Sequence, residues 1–175
     1  MALLLNRSDV IKLLPMSKAI DVVEAAFGEL AAGTAEMPDR TVFVDPAVGG
    51  WIAYMPAYLK TGGALGIKAV TVYKENPSKF GLPTTIGTIL VQDNQTGEVV
   101  AVMDGGFLTA ARTGAVTGVA TRHLARKNAK IAGIFGTGVQ ARQQVVGMAA
   151  ARDLDTILAF SLDADDARRK FAESL

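Results

Sequence analysis

The chain has 175 residues, half of them hydrophobic and one fifth charged, enough for one large domain or two small ones with a sizeable core. Its 18 basic and 17 acidic side chains are interspersed at a net charge of +1, with no basic stripe and no RNA-binding aromatic motif, which argues against nucleic acid as a partner. No cysteine and a single histidine, His123, exclude a disulfide scaffold, cysteine-ligated zinc and a thiol nucleophile, and speak against a histidine-built metal site or a Ser-His-Asp triad.

The opening MALLLNRSDVIKLL has too short an apolar stretch for a signal peptide, and nothing approaches a membrane span, so the cytoplasm is the expected compartment. Ala2 to Leu5 reads as a short strand. Ser8-Asp9 is expected to cap a brief helical turn, and Ser17 a longer helix to about Ala32. In that helix Ile20, Val23, Phe27 and Leu30 recur at helical spacing, with Asp21 and Glu24 suited to its early turns. Strands are expected at Thr41–Asp45, Trp51–Met55, Leu65–Tyr73 and Thr85–Gln92. Asp93 to Gly97 supplies turn chemistry and Glu98–Met103 the return arm of a hairpin, so an antiparallel or mixed sheet accounts for residues 40–104. Lys74–Pro83, with two prolines and a glycine, reads as a polar loop between strands.

Phe107 to Leu124 has helical spacing but is rich in Gly, Ala and Thr, and His123 falls at its end, where positive charge suits the helix dipole. Small residues there point to a face that something approaches closely: a sheet, a partner helix or a ligand. Next comes KIAGIFGTGVQA, Lys130 to Ala141, in which an apolar run ends in Gly136-Thr137-Gly138 and a helix starts near Val139. This is the strand–turn–helix grammar of a dinucleotide-binding unit. Gly136 permits the tight turn, Gly138 lets backbone approach a pyrophosphate, and Ala141 takes the place of the third glycine. Phosphates would rest on the unpaired N–H groups of the helix start. The competing reading is a glycine-rich turn in an ordinary crossover. The helix should run to about Ala151 with Val145, Val146, Met148 and Ala149 inward. Thr156–Leu162 is the second strand, and Asp163-Ala164-Asp165-Asp166 begins another helix.

Three of the cations that precede the glycine turn are candidates for a site. Lys68 lies within the apolar strand Leu65 to Val70, where it either faces solvent by simple alternation or serves a site. Arg112 is flanked by small residues and has room to grip a carboxylate with two parallel hydrogen bonds, although a solvated face is the commoner outcome for a lone arginine. Arg40 carries no signal of its own. Together they suit an anionic small substrate. Asp104 reads either as a site carboxylate or as the cap of the helix that follows.

Taken in order, Met55-Pro56-Ala57-Tyr58, Gly66-Ile67-Lys68, Gly81-Leu82-Pro83-Thr84, Val102-Met103-Asp104, Ala111-Arg112-Thr113-Gly114-Ala115 and Gly136-Thr137-Gly138-Val139-Gln140-Ala141 resemble the ornithine cyclodeaminase/mu-crystallin family. The likeness covers the whole chain but about the first half of a family member. It implies an α/β chain: an α+β substrate-binding and dimerisation domain over 1–125, completed in the family by a C-terminal return segment, and the truncated start of a Rossmann NAD(P)-binding domain over 126–175. The family's catalytic aspartate is expected outside this stretch, and a half-built sheet is expected to impair function and favour association.

The resemblance further implies an NAD(P)-dependent oxidoreductase for a small amino or imino acid, of the alanine dehydrogenase or ketimine/pyrroline-carboxylate reductase type. The alternatives are ornithine cyclodeamination to proline and ammonia, or a non-catalytic NAD(P)-binding protein. Lys68 matches the active-site lysine that assists proton transfer, Arg112 the carboxylate-binding arginine, and Arg40 a second carboxylate contact. Thr84, Thr113, Gly114, Gly136, Thr137, Gly138, Val139 and Gln140 match cofactor positions. Asp163 is the candidate ribose acid, with Ser161 the alternative there, so NAD or NADP stays open. Ala53 stands where cyclodeaminases carry an acid, which brings the chain nearer the archaeal-type alanine dehydrogenase branch. A homodimer is implied, with no metal and no membrane.

Overall fold

Two units divide the chain in the computed structural model, which describes residues 1–175: Met1–Leu13 with Ala26–Thr109, and Leu14–Ala25 with Ala110–Leu175. Compactness thus groups residues 14–25 and 110–125 with the chain that follows them.

The first unit is a seven-stranded mixed sheet. Its strands are β1 (Leu3–Leu5), β2 (Ala35–Glu36), β3 (Thr41–Asp45), β4 (Gly50–Leu59), β5 (Ala64–Tyr73), β6 (Thr85–Asp93) and β7 (Val99–Asp104). They run in the order β1-β7-β6-β5-β4-β2, with β3 also on β4, and only β1 with β7 is parallel. The β4 strand passes through Pro56 instead of stopping at Met55. Pro56 falls in the gap between β2, which pairs with residues 58 and 59, and β3, which pairs with residues 50 to 54. A residue without an N–H is tolerated where one edge has no partner.

The hairpin turn between β6 and β7 is as its residues require. Asp93 Oδ1 accepts from the Gln95 and Thr96 amides and the Thr96 hydroxyl, and Gly97 takes φ 74°.

Lys74–Pro83 is not wholly loop: α3 (Asn76–Phe80) forms inside it. Pro77 opens that helix with its φ preset, Gly81 closes it in the left-handed region, and buried Asn76 donates from Nδ2 to the Pro83 carbonyl at 3.1 Å. The first helix, α1 (Arg7–Leu13), is capped by Asn6 rather than by Ser8. The Asn6 Oδ1 accepts from the Ser8 and Asp9 amides while Asp9 receives the Asn6 amide, a reciprocal box. The second, α2 (Met16–Ala31), starts before Ser17, on the Pro15 carbonyl. Of its apolar stripe, Ile20 is fully buried and Val23 half-buried, whereas Phe27 and Leu30 stay exposed.

The second unit contains the later part of α4 (Gly105–Leu124), then β8 (Ile131–Phe135), α5 (Val139–Ala151), β9 (Thr156–Phe160) and α6 (Asp165–Glu173). The β8 and β9 strands are parallel neighbours joined through α5, the βαβ unit that the apolar runs imply. Ala141 and Val145 of α5 pack with Phe171 of α6 over Ile134 and Ile157. Val146 and Ala149, expected inward, face out, and Gly147 is buried in their stead.

The reason lies in the small-residue face of α4. A Cβ on Gly147 would stand 2.1 Å from the Gly114 carbonyl oxygen, and one on Gly114 would stand 2.2 Å from that of Gln143. The two helix backbones therefore touch, and a partner helix is what approaches this face. Ile20 of α2 lies against Gly118 and Ala115 in the same unit.

Ion pairs and caps fix the helix ends. Arg122 bonds Asp21 at 2.9 Å and also Glu24, which His123 Nε2 meets at 2.5 Å. These contacts, His123 first and then Arg122, hold the Glu24 carboxyl below its ordinary range. Arg152, just past α5, donates to the carbonyls of Arg122, Ala125 and Arg126, capping the end of α4 with one guanidinium.

Helix propensity and packing oppose each other at these glycines, which makes them diagnostic. In urea unfolding of the protein, Gly147→Ala should lower stability by about 2 kcal/mol or more, although alanine is the better helix former. Gly28→Ala in α2, where a Cβ meets nothing within 4 Å, should raise it by about 0.5–1 kcal/mol. Equal effects at the two sites would refute the backbone contact.

Candidate functional site

The β8 strand delivers the chain to Gly136 at φ 95°, a left-handed conformation that favours glycine, and the Gly136 amide donates to the Phe160 carbonyl of β9 at 2.7 Å. Gly138 is the N-cap of α5, with no side-chain cap on the helix start, so the first-turn N–H groups face outward as anion donors. Its φ of −81° is open to any residue, and a Cβ there would meet nothing within 4 Å. Neither backbone strain nor the protein's own packing calls for glycine at 138. A backbone left open at this point is compatible with the close approach of a dinucleotide pyrophosphate to the helix start. Ala141, buried against β8, meets the close-packing demand of the third position. Val139 and Gln140 are exposed on the first turn.

Beside the turn, at the carboxyl ends of the two parallel strands, Thr137, Ser161 and Asp163 form one hydrogen-bonded cluster. The Ser161 hydroxyl donates to Asp163 Oδ2 at 2.5 Å, the Thr137 hydroxyl donates to the same oxygen, and the Asp163 amide donates back to Ser161 Oγ at 3.0 Å. Ser161 is 7% exposed, whereas Asp163 is open to solvent. Ser161 first, then Thr137, holds the Asp163 carboxyl below the ordinary aspartate range, and the charge of Arg168 adds to the lowering.

In the same unit, Arg112 is exposed on α4, Thr113 is half-buried, and Gly114 occupies the crossing with α5. Gly114 thus has a packing reason for being glycine that needs no ligand.

The remaining candidates belong to the first unit. Lys68 is central in β5, opposite Met55 of β4 and Ile89 of β6. Alternation puts it on the face that carries Ala53, Val70, Gly87 and Ala101, all buried. The start of α4 presses on that face, with the Gly105 backbone against Gly87. Lys68 is half-buried there, as are Ile67 and Ala69 on the opposite face. Thr84 is half-buried ahead of β6, with its carbonyl accepting from the Tyr73 amide, and Arg40 is exposed ahead of β3. Asp104 takes the capping role, accepting the Phe107 amide at 3.0 Å. No cluster of three His, Cys, Asp or Glu side chains could hold a metal ion, and no helix is long and apolar enough to cross a membrane.

Comparison with known proteins agrees with this arrangement. A family model described as ornithine cyclodeaminase/mu-crystallin family matches residues 1–175. The solved structure of Thermococcus litoralis Δ1-pyrroline-2-carboxylate reductase, in complex with NADH and L-proline, is similar with a TM-score of 0.91 and 47% identity, over 98% of this chain and 52% of that one. An archaeal alanine dehydrogenase dimer with bound NAD follows, with a TM-score of 0.90 and 35% identity, over 99% of this chain and 52% of its own. The L-lysine cyclodeaminase of Streptomyces rapamycinicus is 37% identical over 154 residues, 87% of this chain and 45% of that protein. The chain spans about half the length of the curated relatives it matches.

The Asp163 cluster makes a pH prediction. Its folded pKa lies below the unfolded value of about 3.9, so the hydroxyl contacts contribute stability that is complete above that pH and lost as pH falls through the folded value. An NMR titration of the Asp163 carboxyl should find its midpoint under the ordinary aspartate value, and Ser161→Ala should move it upward. A midpoint unmoved by that substitution would remove the serine as its cause.

Proposed function

This chain belongs to the ornithine cyclodeaminase/mu-crystallin family, and from that premise we propose that the protein is an NAD(P)-dependent oxidoreductase acting on a small amino or imino acid, of the alanine dehydrogenase or ketimine/pyrroline-carboxylate reductase type. The observation that carries the reading is the glycine turn: Gly138 is small for no internal reason, at the bare start of a 13-residue helix behind a parallel strand. Relatives named as pyrroline-carboxylate reductase and alanine dehydrogenase, solved with NADH or NAD, support it.

The nucleotide site is assigned to residues 126–175 and substrate binding and dimerisation to residues 1–125. The dinucleotide would be held through its phosphates by the amides from Gly136 to Gln140 and through its ribose by Asp163, with Thr84, Thr113 and Gly114 assigned nearer the nicotinamide and phosphates. When bound it supplies the hydride acceptor or donor. The protein's own part is positioning and proton handling. Arg112 offers a planar fork for two parallel hydrogen bonds to the substrate carboxylate, and Arg40 a second contact. Lys68 rises from an apolar sheet face, and its amine is the group proposed to take or return the substrate's proton. Fixing the carboxylate sets where the Cα hydrogen lies, and such orientation accounts for a large part of the rate.

A cyclodeaminase is the second reading, supported by the lysine cyclodeaminase relative. Ala53, fully buried opposite Val70, offers no carboxylate for a substrate's distal amine at that position. A homodimer is part of the proposal, supported by the alanine dehydrogenase dimer.

The test is NADH oxidation with Δ1-pyrroline-2-carboxylate or with pyruvate and ammonia, set beside proline release from ornithine. Reductase activity without proline release is the expected outcome. Lys68→Ala should cut kcat at least 100-fold with dinucleotide affinity retained, and Arg112→Lys should chiefly raise KM. Wild-type turnover in Lys68→Ala removes that residue from the mechanism, and tight dinucleotide binding with no turnover on any of these substrates favours a binding protein.

A further inference from the structure

Between β5 and β6, residues 74–84 leave the sheet, and the only side chain buried in that excursion is a polar one, the amide of Asn76 at 8% exposure. Thr84, at its end, is half-buried, and the other residues are exposed. A cavity of about 600 Å³ opens between α3 and the sheet, lined by Asn76, Phe80 and Leu82 on one side and by Thr71, Tyr73 and Ile86 on the other. Apolar packing therefore does little to hold this stretch, and hydrogen bonds to Asn76 hold it instead. The Asn76 carbonyl accepts the Gly81 amide and, at 3.3 Å, the Leu82 amide, while its Nδ2 donates to the Pro83 carbonyl at 3.1 Å. Three successive residues turn around one asparagine, and Gly81 at φ 64° lets the chain double back. Thr84 comes next, and its carbonyl accepts the Tyr73 amide of β5 at 2.9 Å. The peptide before Thr84 is thus held by Asn76, and the peptide after it by β5.

We infer that Asn76 is a positioning residue for Thr84, fixing where that threonine meets the nicotinamide end of the dinucleotide. The inference rests on the proposed oxidoreductase function, in which Thr84 serves the cofactor, and adds the residue that places it. A buried amide stays where it can keep its hydrogen bonds, so the Asn76 side chain sets the path of the chain into Thr84. Pro83 is exposed, so its carbonyl can turn to water once the amide is gone, and the β5–β6 ladder resumes at Val72 and Thr85. Losing the amide therefore frees Thr84 without dismantling the sheet. A reacting end held less firmly costs rate far more than affinity, because the phosphate contacts of the dinucleotide lie elsewhere.

The experiment measures NADH oxidation by the purified protein, with Δ1-pyrroline-2-carboxylate or with pyruvate and ammonia, beside NADH affinity and the emission maximum of the bound nicotinamide. Asn76→Leu removes the donor at similar volume. It should lower kcat about tenfold and shift the emission maximum, with the NADH dissociation constant changed by less than about twofold. Thr84→Ala should act in the same way, and the double variant should be no slower than Thr84→Ala alone, because Asn76 acts through that residue. Gly81→Ala strains the same turn, its Cβ meeting nothing within 4 Å, and should lower kcat about threefold. It takes the place of Asn76→Leu should the latter not fold. Wild-type kcat in these variants, or losses that multiply in the double variant, would overturn the inference while leaving the proposed function standing. A wild type that binds NADH without turnover would overturn the oxidoreductase reading, and an unshifted emission maximum in Asn76→Leu would then overturn the placement of Thr84 as well. A wild type that binds no dinucleotide overturns both.

Discussion

The second unit depends on one contact, the backbone-to-backbone crossing of α4 and α5 at Gly114 and Gly147. A methyl group at either position would enter a carbonyl oxygen of the other helix. Because the crossing tolerates no side chain, it permits one depth and little rotation for α5. The other end of α5 is pinned by Ala141, Val145 and Phe171 over the two parallel strands. A helix held at both ends presents its N-terminus at a constant place, and the glycine turn between β8 and α5 inherits that constancy. Anion recognition by main-chain amides needs such rigidity, since a helix start that drifts by an ångström loses its hydrogen-bond geometry.

Several charges in this chain are committed to structure. Arg122 clamps two carboxylates of α2, Arg152 gathers the carbonyls that α4 leaves unpaired, and Arg168 spans the Ser161 carbonyl and Asp165. Asp104 takes the capping role of its two readings, satisfying the amide of Phe107 at a helix entry. Arg112, exposed on α4, takes part in none of these closures.

Much of this arrangement was legible because it is local. Strand positions from Thr41 to Asp104 followed from alternation and β-branching, the β6–β7 turn from Asp93 and Gly97, and the turn into α5 from its glycines, since each depends on residues a few positions apart. Two misreadings were local as well. Asn76-Pro77 followed by Gly81 carried a helix start and stop inside what looked like loop, and Asn6, not Ser8, had the side chain in reach of the first free amides. Stopping β4 at Met55 failed for another reason: whether proline breaks a strand depends on whether its neighbour there needs an N–H, and pairing decides that.

By itself the sequence determined the periodicities, the β6–β7 turn and the glycine turn, because short-range sterics and hydrogen bonding act along the chain. Only the tertiary structure decided which face each residue serves. Lys68 shares its side of the sheet with Ala53 and Val70, and that follows from the register of three strands rather than from β5 alone. Gly147, not Val146, turns inward because Gly114, 33 positions earlier, leaves room for a backbone and nothing larger. Ser161 is buried and Asp163 exposed, and Thr137 joins them from the turn after another strand. Burial and hydrogen-bond partnership are properties of what comes near in space, and a linear pattern records only what each residue brings to that meeting.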